Sequence, residues 1–296
     1  MRSLHSLYPV PGTPSLRTRT FMADPSITDA EFQRFQRLIY EIAGISLADS
    51  KKVLLVGRLG KRLRALQLEN FGQYHDLVAH GYDQQERQTM VDLLTTNETY
   101  FFREEAHFDY LQHTIVAQHP RNQPFHIWSA AASTGEEIYT LAMVLADSLG
   151  VKGNWNILGS DISTRALATA KRGHYWLERT RGLPDAYLRK YCLRGVRSQE
   201  GSFLIAPELR SHTRFMQINL NTTLPDIGRF HVVFLRNVMI YFDNDTKRQV
   251  VARIVQKLHP GGYLIVGHSE SLNGINNTVQ LVRPTIYRLP LAQAKA

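Results

Sequence analysis

From about residue 124 onward the chain alternates between apolar runs and stretches with helical spacing. PFHIWSAA, WNILGSDI, HVVFLRNVMIYF and GGYLIVGHS each read as a buried strand. Helical patterns cover about Glu136 to Leu149, Ser163 to Arg172 and Asp245 to Leu258. Strands this continuously apolar are covered on both faces, which predicts a parallel sheet in an α/β layer structure. The final pair, VQLVRP and TIYRLP, has no helix after it and predicts an antiparallel edge. Residues 176 to 214 break the alternation with a helix-like LPDAYLRKY and short β-like pieces such as SFLIAP. A small inserted β-subdomain is expected there.

Upstream, the spacing is helical throughout. Thr28 with Glu31 forms a capping-box pattern, Phe32, Phe35, Leu38, Ile39 and Ile42 make one stripe, and Gly44 ends that helix. Further helices are expected over about Asp49 to Leu66, Phe71 to His80 and Gln84 to Leu94. The expected organisation is a disordered tail over 1–25, an all-helical domain over 26–95, a linker and connecting helix over 96–123, and an α/β domain over 124–296 carrying the insert. The tail is rich in Pro, Ser, Thr and Arg and lacks the apolar core of a secretory signal. Met22, before ADPSITDAEFQRF, offers an alternative start. No apolar run reaches the roughly 18 residues of a membrane span.

In a doubly wound sheet the ligand lies beyond the carboxyl ends of the strands. Four segments meet there: the turn SAAASTGEE, Asp161 in GSDIS, Asn219-Leu220 in MQINLN, and Arg236-Asn237 in FLRNVMIYF. An acid such as Asp161 at the end of the second strand grips ribose hydroxyls. The turn carries Glu136 and Glu137 where a phosphate-binding protein keeps the space free of acid. Carboxylates repel phosphate but attract a cation, so an adenosine bearing positive charge, S-adenosylmethionine (SAM), suits the site. Two plainer readings stand beside this one: acids are favoured at a helix N-terminus by its dipole, and an Asp after a strand often only caps a helix.

The single cysteine, Cys192, has no partner for an intramolecular disulfide, which fits a reducing cytoplasm, and it reads as a packing residue. The twelve histidines form no HExxH, and no metal site is expected. The net charge of +9 favours an acidic partner.

TTNETYFFRE (95–104), WSAAASTGEEIYTLAM (128–143), SDIS (160–163), INL (218–220), LRNVMIYF (235–242) and GGYLIVGHSE (261–270) together make the chain similar to the chemotaxis receptor methyltransferases, the CheR family. The resemblance runs from about residue 28 to 289. It implies an all-helical domain before a Rossmann-like SAM-dependent methyltransferase domain with an inserted β-subdomain. It also implies methylation of glutamate side chains on the cytoplasmic helices of chemoreceptors, hence a cytoplasmic enzyme, with S-adenosylhomocysteine as the other product. By the same resemblance, Asn97, Thr99, Arg103, Glu137, Asp161, Asn219, Leu220, Arg236 and Asn237 contact the cofactor, and the insert can recognise a tether at a receptor's C-terminus. Phe101 and Phe102 within NETYFFR are expected in the core.

SKKVLLVGRLGKRLRAL (50–66) carries six basic residues and no acid. Leu55, Val56, Leu59, Leu63 and Leu66 form one stripe, and Lys51, Arg58, Lys61, Arg62 and Arg64 another arc. A solvated basic face is the default for such a helix. The charge density and the resemblance favour a docking face for an acidic receptor helix. For the chemistry, a glutamate is already ionised at neutral pH and needs no general base. Arg103 is the candidate to guide that carboxylate and Tyr241 to orient it, with a buried tyrosine whose hydroxyl is merely satisfied as the plainer reading of Tyr241. A nucleic-acid base methyltransferase is opposed by the absence of an Asn/Asp-Pro-Pro-aromatic turn at VMIYF and of a basic patch interleaved with aromatics. A non-catalytic cofactor sensor is opposed by the intact set of matched residues.

Overall fold

The computed structural model describes residues 26–81 and 83–291; the expectation for 1–25 lies outside them. Four helices open the chain: α1 (Asp29–Ala43), α2 (Lys52–Ala65, entered through a 3-10 turn at Asp49–Lys51), α3 (Phe71–Ala79) and α4 (Gln84–Leu94). The capping box at α1 is present, with Thr28 Oγ1 accepting from the Glu31 amide and Glu31 accepting from the Thr28 amide. Gly44 ends the helix at φ 70°, a backbone state in which a side chain is strained. The apolar stripes meet in one core around Phe35, Leu55, Leu59, Phe71, Tyr74 and Val78.

An irregular segment over 95–105 leads into α5 (Ala106–Tyr110), which continues through a π turn at Leu111–Ile115 and a 3-10 turn at Val116–Gln118. Phe101 and Phe102 are buried, as their apolar character predicts. The α/β half then follows as β1 (Phe125–Ser129), α6 (Glu136–Leu149), β2 (Trp155–Asp161), α7 (Thr164–Arg172), β3 (His174–Trp176), α8 (Asp185–Tyr191), β4 (Cys192–Arg194), β5 (Ser202–Ile205), α9 (Pro207–Arg210), β6 (Thr213–Gln217), β7 (Phe230–Leu235), α10 (Asn244–Val255), β8 (Leu258–Val266), β9 (Gln280–Arg283) and β10 (Ile286–Arg288).

The main sheet has the order β6-β2-β1-β7-β8-β10-β9. Its first five strands run parallel, and β10 is antiparallel to both β8 and β9. Side chains alternate across the pleat, so Ile127 and Trp128 of β1 enter different cores. One core holds α6, the other α10. Between α7 and β6 the chain makes a separate antiparallel sheet in the order β3-β5-β4. Cys192 lies partly buried against the core, its thiol pushed up to about 12 by burial, which keeps it an inert packing group.

One strand expectation is corrected. HVVFLRNVMIYF is a strand only to Leu235; Asn237 turns the chain at φ 55°, and Met239–Tyr241 is a 3-10 turn. The cause is Glu270, whose carboxylate accepts from the amides of Asn237 (2.9 Å), Met239 (2.8 Å) and Gly267 (2.7 Å). Those amides would otherwise be free to continue a ladder.

Candidate active site

A cavity of about 580 Å³ opens between the helical half and the carboxyl ends of the parallel strands. That size is within the roughly 300–1,000 Å³ usual for small-molecule sites. Asn97, Thr99, Arg103, Glu137, Asp161, Asn219, Leu220, Arg236, Asn237 and Tyr241 all line it. The nine expected cofactor contacts and both expected catalytic residues are thus brought together from five separate segments. Lys51 and Arg58 reach its wall; Lys61, Arg62 and Arg64 do not.

The turn after β1 is held from three sides. Asp161 Oδ2 accepts from the Ser133 amide at 2.8 Å, the Ser133 hydroxyl donates to the Asn97 carbonyl, and the Tyr175 hydroxyl of the inserted sheet donates to the Thr134 carbonyl. Gly135 sits at φ 99°, and a Cβ there would lie 2.8 Å from the Cβ of Ala170. No larger residue fits between this turn and α7. Asp161 also accepts from the Ser163 amide at 2.9 Å. Burial nonetheless pushes its carboxyl above the ordinary value, the two amides pulling it back.

The adjacent acids have different surroundings. Glu136 is fully buried and paired with Arg179 of the insert, and it accepts from the Thr134 hydroxyl. Glu137 faces the cavity, accepting from the Ser129 hydroxyl at 2.7 Å and from Arg236 at 3.0 Å. Burial raises the Glu137 carboxyl, and Arg236 opposes the rise. Arg236 is itself buried beside Phe108, its other arm on Glu104 at 3.0 Å and on the Arg103 carbonyl. Glu104 also accepts from Asn237 Nδ2 and from the His268 amide, each at 3.1 Å. Among the described residues, Glu104, His107 and His268 form the one grouping with metal-ligand chemistry, their ligand atoms within 4.8 Å of one another. The Arg236 guanidinium already supplies positive charge to that carboxylate.

Asn219 lines the cavity but its side-chain amide is committed, donating to the Ile42 carbonyl at 2.6 Å and accepting from the Asn221 amide at 2.9 Å. Arg103 donates to the Glu98 carbonyl and has no carboxylate partner among the described residues. Tyr241 is half-buried on the wall, and its backbone carbonyl accepts from the Ser46 amide across the two halves. Of the five arginines and lysines expected on a docking face, Arg58 and Arg62 are engaged in the fold, and Arg64 is not free either. Arg58 donates to the carbonyls of Leu93, Leu94 and Thr95, closing the end of α4, and Arg62 makes a two-pronged pair with buried Glu86. Lys51, Lys61 and Arg64 are exposed.

Glu104, Ser129, Ser133, Glu270, Tyr175 and Arg179 all shape the site and were not singled out in the sequence. Glu104 closes the TTNETYFFRE stretch and Glu270 closes GGYLIVGHSE, so both sat inside recognised segments. What they hold is set by tertiary structure. The cavity's strand-end carboxylates, Glu137 and Asp161, with the apolar Ala130, Ile218 and Leu220 also lining it, suit a ligand with an apolar ring, hydroxyls and a cationic end.

The model for the CheR methyltransferase SAM-binding domain matches residues 97–288, and that for the CheR methyltransferase all-alpha domain matches residues 30–95. A chemotaxis protein methyltransferase of Escherichia coli is 41% identical over 270 residues, covering 89% of this chain and 92% of that protein. The one from Salmonella typhimurium is 40% identical over 268 residues, covering 89% and 91%. Among solved structures, the glycopeptide N-methyltransferase MtfA aligns at 15% identity and a TM-score of 0.36 over 66% of this chain and 61% of that one. The chain belongs to the CheR methyltransferase family, and SAM is its cofactor.

Proposed function

We propose that the protein esterifies glutamate side chains on the cytoplasmic helices of chemoreceptors, and that the cavity between its two halves holds cofactor and carboxylate together. The observation that carries this reading is the division of charge around the cavity. Two acids (Glu137 and Asp161) line the strand-end wall together with Arg236, while Arg103, without a carboxylate partner among the described residues, lines the rest with Tyr241, Glu98, Lys51 and Arg58.

In this reading Asp161 takes the ribose hydroxyls and Glu137 the cationic end of SAM. Leu220 and the backbone at Asn219 lie by the adenine, and Asn97 and Thr99 cover the ligand. Arg236 and Asn237 act from behind, by holding Glu137 and the turn. When bound, SAM supplies an electrophilic methyl. Arg103 draws the incoming glutamate carboxylate, Tyr241 donates a hydrogen bond that orients it, and closure between the halves excludes water. No proton has to be removed, because the carboxylate is ionised before it arrives.

Exposed Lys51, Lys61 and Arg64 offer positive charge to an acidic receptor helix, while Arg58 and Arg62 serve the fold. A receptor tether would pair with β4, an edge strand of the inserted sheet whose neighbourhood exposes Leu193 (51%) and Val196 (67%). A cytoplasmic location follows from such a substrate; among the described residues no helix is long and apolar enough to cross a membrane.

The test is methyl transfer from methyl-labelled SAM to receptor-bearing membranes. Label released from the receptor as methanol by mild alkali is the expected result. Alkali-stable label would instead indicate N-methylation and overturn the reading.

A further inference from the structure

Residues 179–182, between β3 and α8, fasten the insert to segments that line or brace the cavity. Arg179 pairs with fully buried Glu136 at the start of α6. Gly182 stands at φ 81°, and a Cβ there would lie 2.2 Å from the Phe101 carbonyl oxygen. Only glycine lets the two backbones approach so closely. Arg181 is set between these two fixed points. Its guanidinium lies 5.3 Å from the centre of the Tyr100 ring, and that of Arg103 lies 5.9 Å from the same ring. Tyr100 and Arg103 line the cavity, whereas Arg181 stands outside its lining and is exposed. Two guanidiniums therefore share one tyrosine at the rim.

Among the described residues, neither Arg103 nor Arg181 makes an ion pair. The neighbouring charges do not supply one. Arg179 is neutralised by Glu136. Glu98, exposed and on the cavity wall, gives Arg103 its backbone carbonyl rather than its carboxylate. Glu178 is exposed and forms no ion pair among the described residues. Like charges repel, so folding gains nothing by gathering two guanidiniums on one ring. The ring does hold both planar cations in place. Cations positioned beforehand lose little freedom when an anion arrives, which is what a docking site needs.

We propose that Arg181 is a substrate-docking residue at the cavity rim, which with Arg103 receives the acidic surface around the glutamate to be methylated. Arg103 takes the reacting carboxylate, and Arg181 takes a neighbouring carboxylate on the same receptor helix. This rests on the reading of receptor glutamates as the substrate. An exposed cation of this kind acts on receptor affinity and on the rate of encounter, and its effect weakens with salt. Cofactor binding is untouched, because Arg181 lies outside the cavity lining. The insert thus contributes to the methylation site itself, apart from any tether that pairs with β4.

The test compares methylation of receptor-bearing membranes by the full chain and by Arg181→Ala, Arg181→Glu and Arg181→Lys. Lys152→Glu makes the same change of sign as a reference, at an exposed site before β2, by the opposite ends of the strands. At low salt the receptor KM is expected to rise about threefold in Arg181→Ala and about tenfold in Arg181→Glu. Arg181→Lys and Lys152→Glu should stay within about twofold, and the differences should shrink as salt is raised. Calorimetric SAM affinity and kcat should hold within about twofold throughout. A KM in Arg181→Glu no higher than in Lys152→Glu overturns the proposal. So does a rise in KM matched by an equal loss of SAM affinity, which would mean that Arg181 only braces Tyr100. The KM comparison holds whichever bond the methyl enters, so alkali-stable label would overturn ester formation and leave this test standing. Where no label is transferred, fluorescence anisotropy of labelled poly-L-glutamate with the same proteins gives the answer. Weaker binding by Arg181→Glu than by Lys152→Glu is expected, and equal binding overturns the proposal.

Discussion

Glu136 and Glu137 show how much one position matters. Successive residues on a helix point about 100° apart, so one acid enters the insert and pairs with Arg179 while its neighbour enters the cavity and meets Arg236. The sequence placed two acids at the turn; it could not say that one of them is a structural ion pair. Asn219 makes the same point, since it stands at the expected place with its amide spent on the other half of the molecule. Tyr241 is the residue whose chemistry can be isolated most cleanly. Tyr241→Phe keeps the ring packing and removes the hydroxyl, so kcat for receptor methylation is expected to drop about tenfold to a hundredfold. SAM affinity, measured by calorimetry, should stay within about twofold. A matching loss of SAM affinity would show the hydroxyl to be a cofactor contact.

Among the elements, α2 carries two kinds of basic residue that a helical wheel displays alike. Arg62 holds Glu86, which is 4% exposed and also accepts from the Tyr74 hydroxyl. Arg62→Ala would leave that acid buried without its cation, and a loss of about 2 kcal/mol in denaturant stability is expected, discounted because the arginine is itself partly exposed. Lys61→Glu should leave stability within about 0.5 kcal/mol and raise the KM for receptor, more so at low salt. The helices and most strands were legible because their apolar periods are local: α1 to α4, β1, β2, the start of β7, β8 and the antiparallel edge lie where the spacing puts them, while β6 (Thr213–Gln217) begins inside the stretch expected for the insert and yet pairs with β2 in the main sheet. The strand end at Leu235 was not legible, because VMIY is as apolar as a strand and what stops it is Glu270, an acid 33 positions beyond Asn237. The site was legible as a set of segments through the resemblance; the partners of each side chain were not.

For the molecule as a whole, two histidines, buried His107 and half-buried His231, set the response to acid. Burial lowers His107 and His231 to about 4, with Arg236 adding to the first and His259, His119 and His126 to the second. The unfolded chain therefore binds more protons than the native one between about pH 6.5 and 4. Stability is fully present above that window and is lost on the way down, by up to about 1.4 kcal/mol per pH unit for each histidine. Urea unfolding followed across this range should show the decline, and His231→Gln should flatten it. A second property of the whole lies at the join. The Ser46 amide meets the Tyr241 carbonyl, Asn219 reaches the Ile42 carbonyl, and Asp92 of α4 receives the Thr164 and Arg165 amides at the start of α7. Each of these stitches uses at least one backbone group, which nearly any residue supplies. The side-chain ends of the stitches, Asn219 and Asp92, are what the join asks of the sequence. An exchange cut near residue 96 would part Asp92 from the helix it begins and remove a wall of the cavity, so swapping one half alone is expected to weaken both the join and cofactor binding.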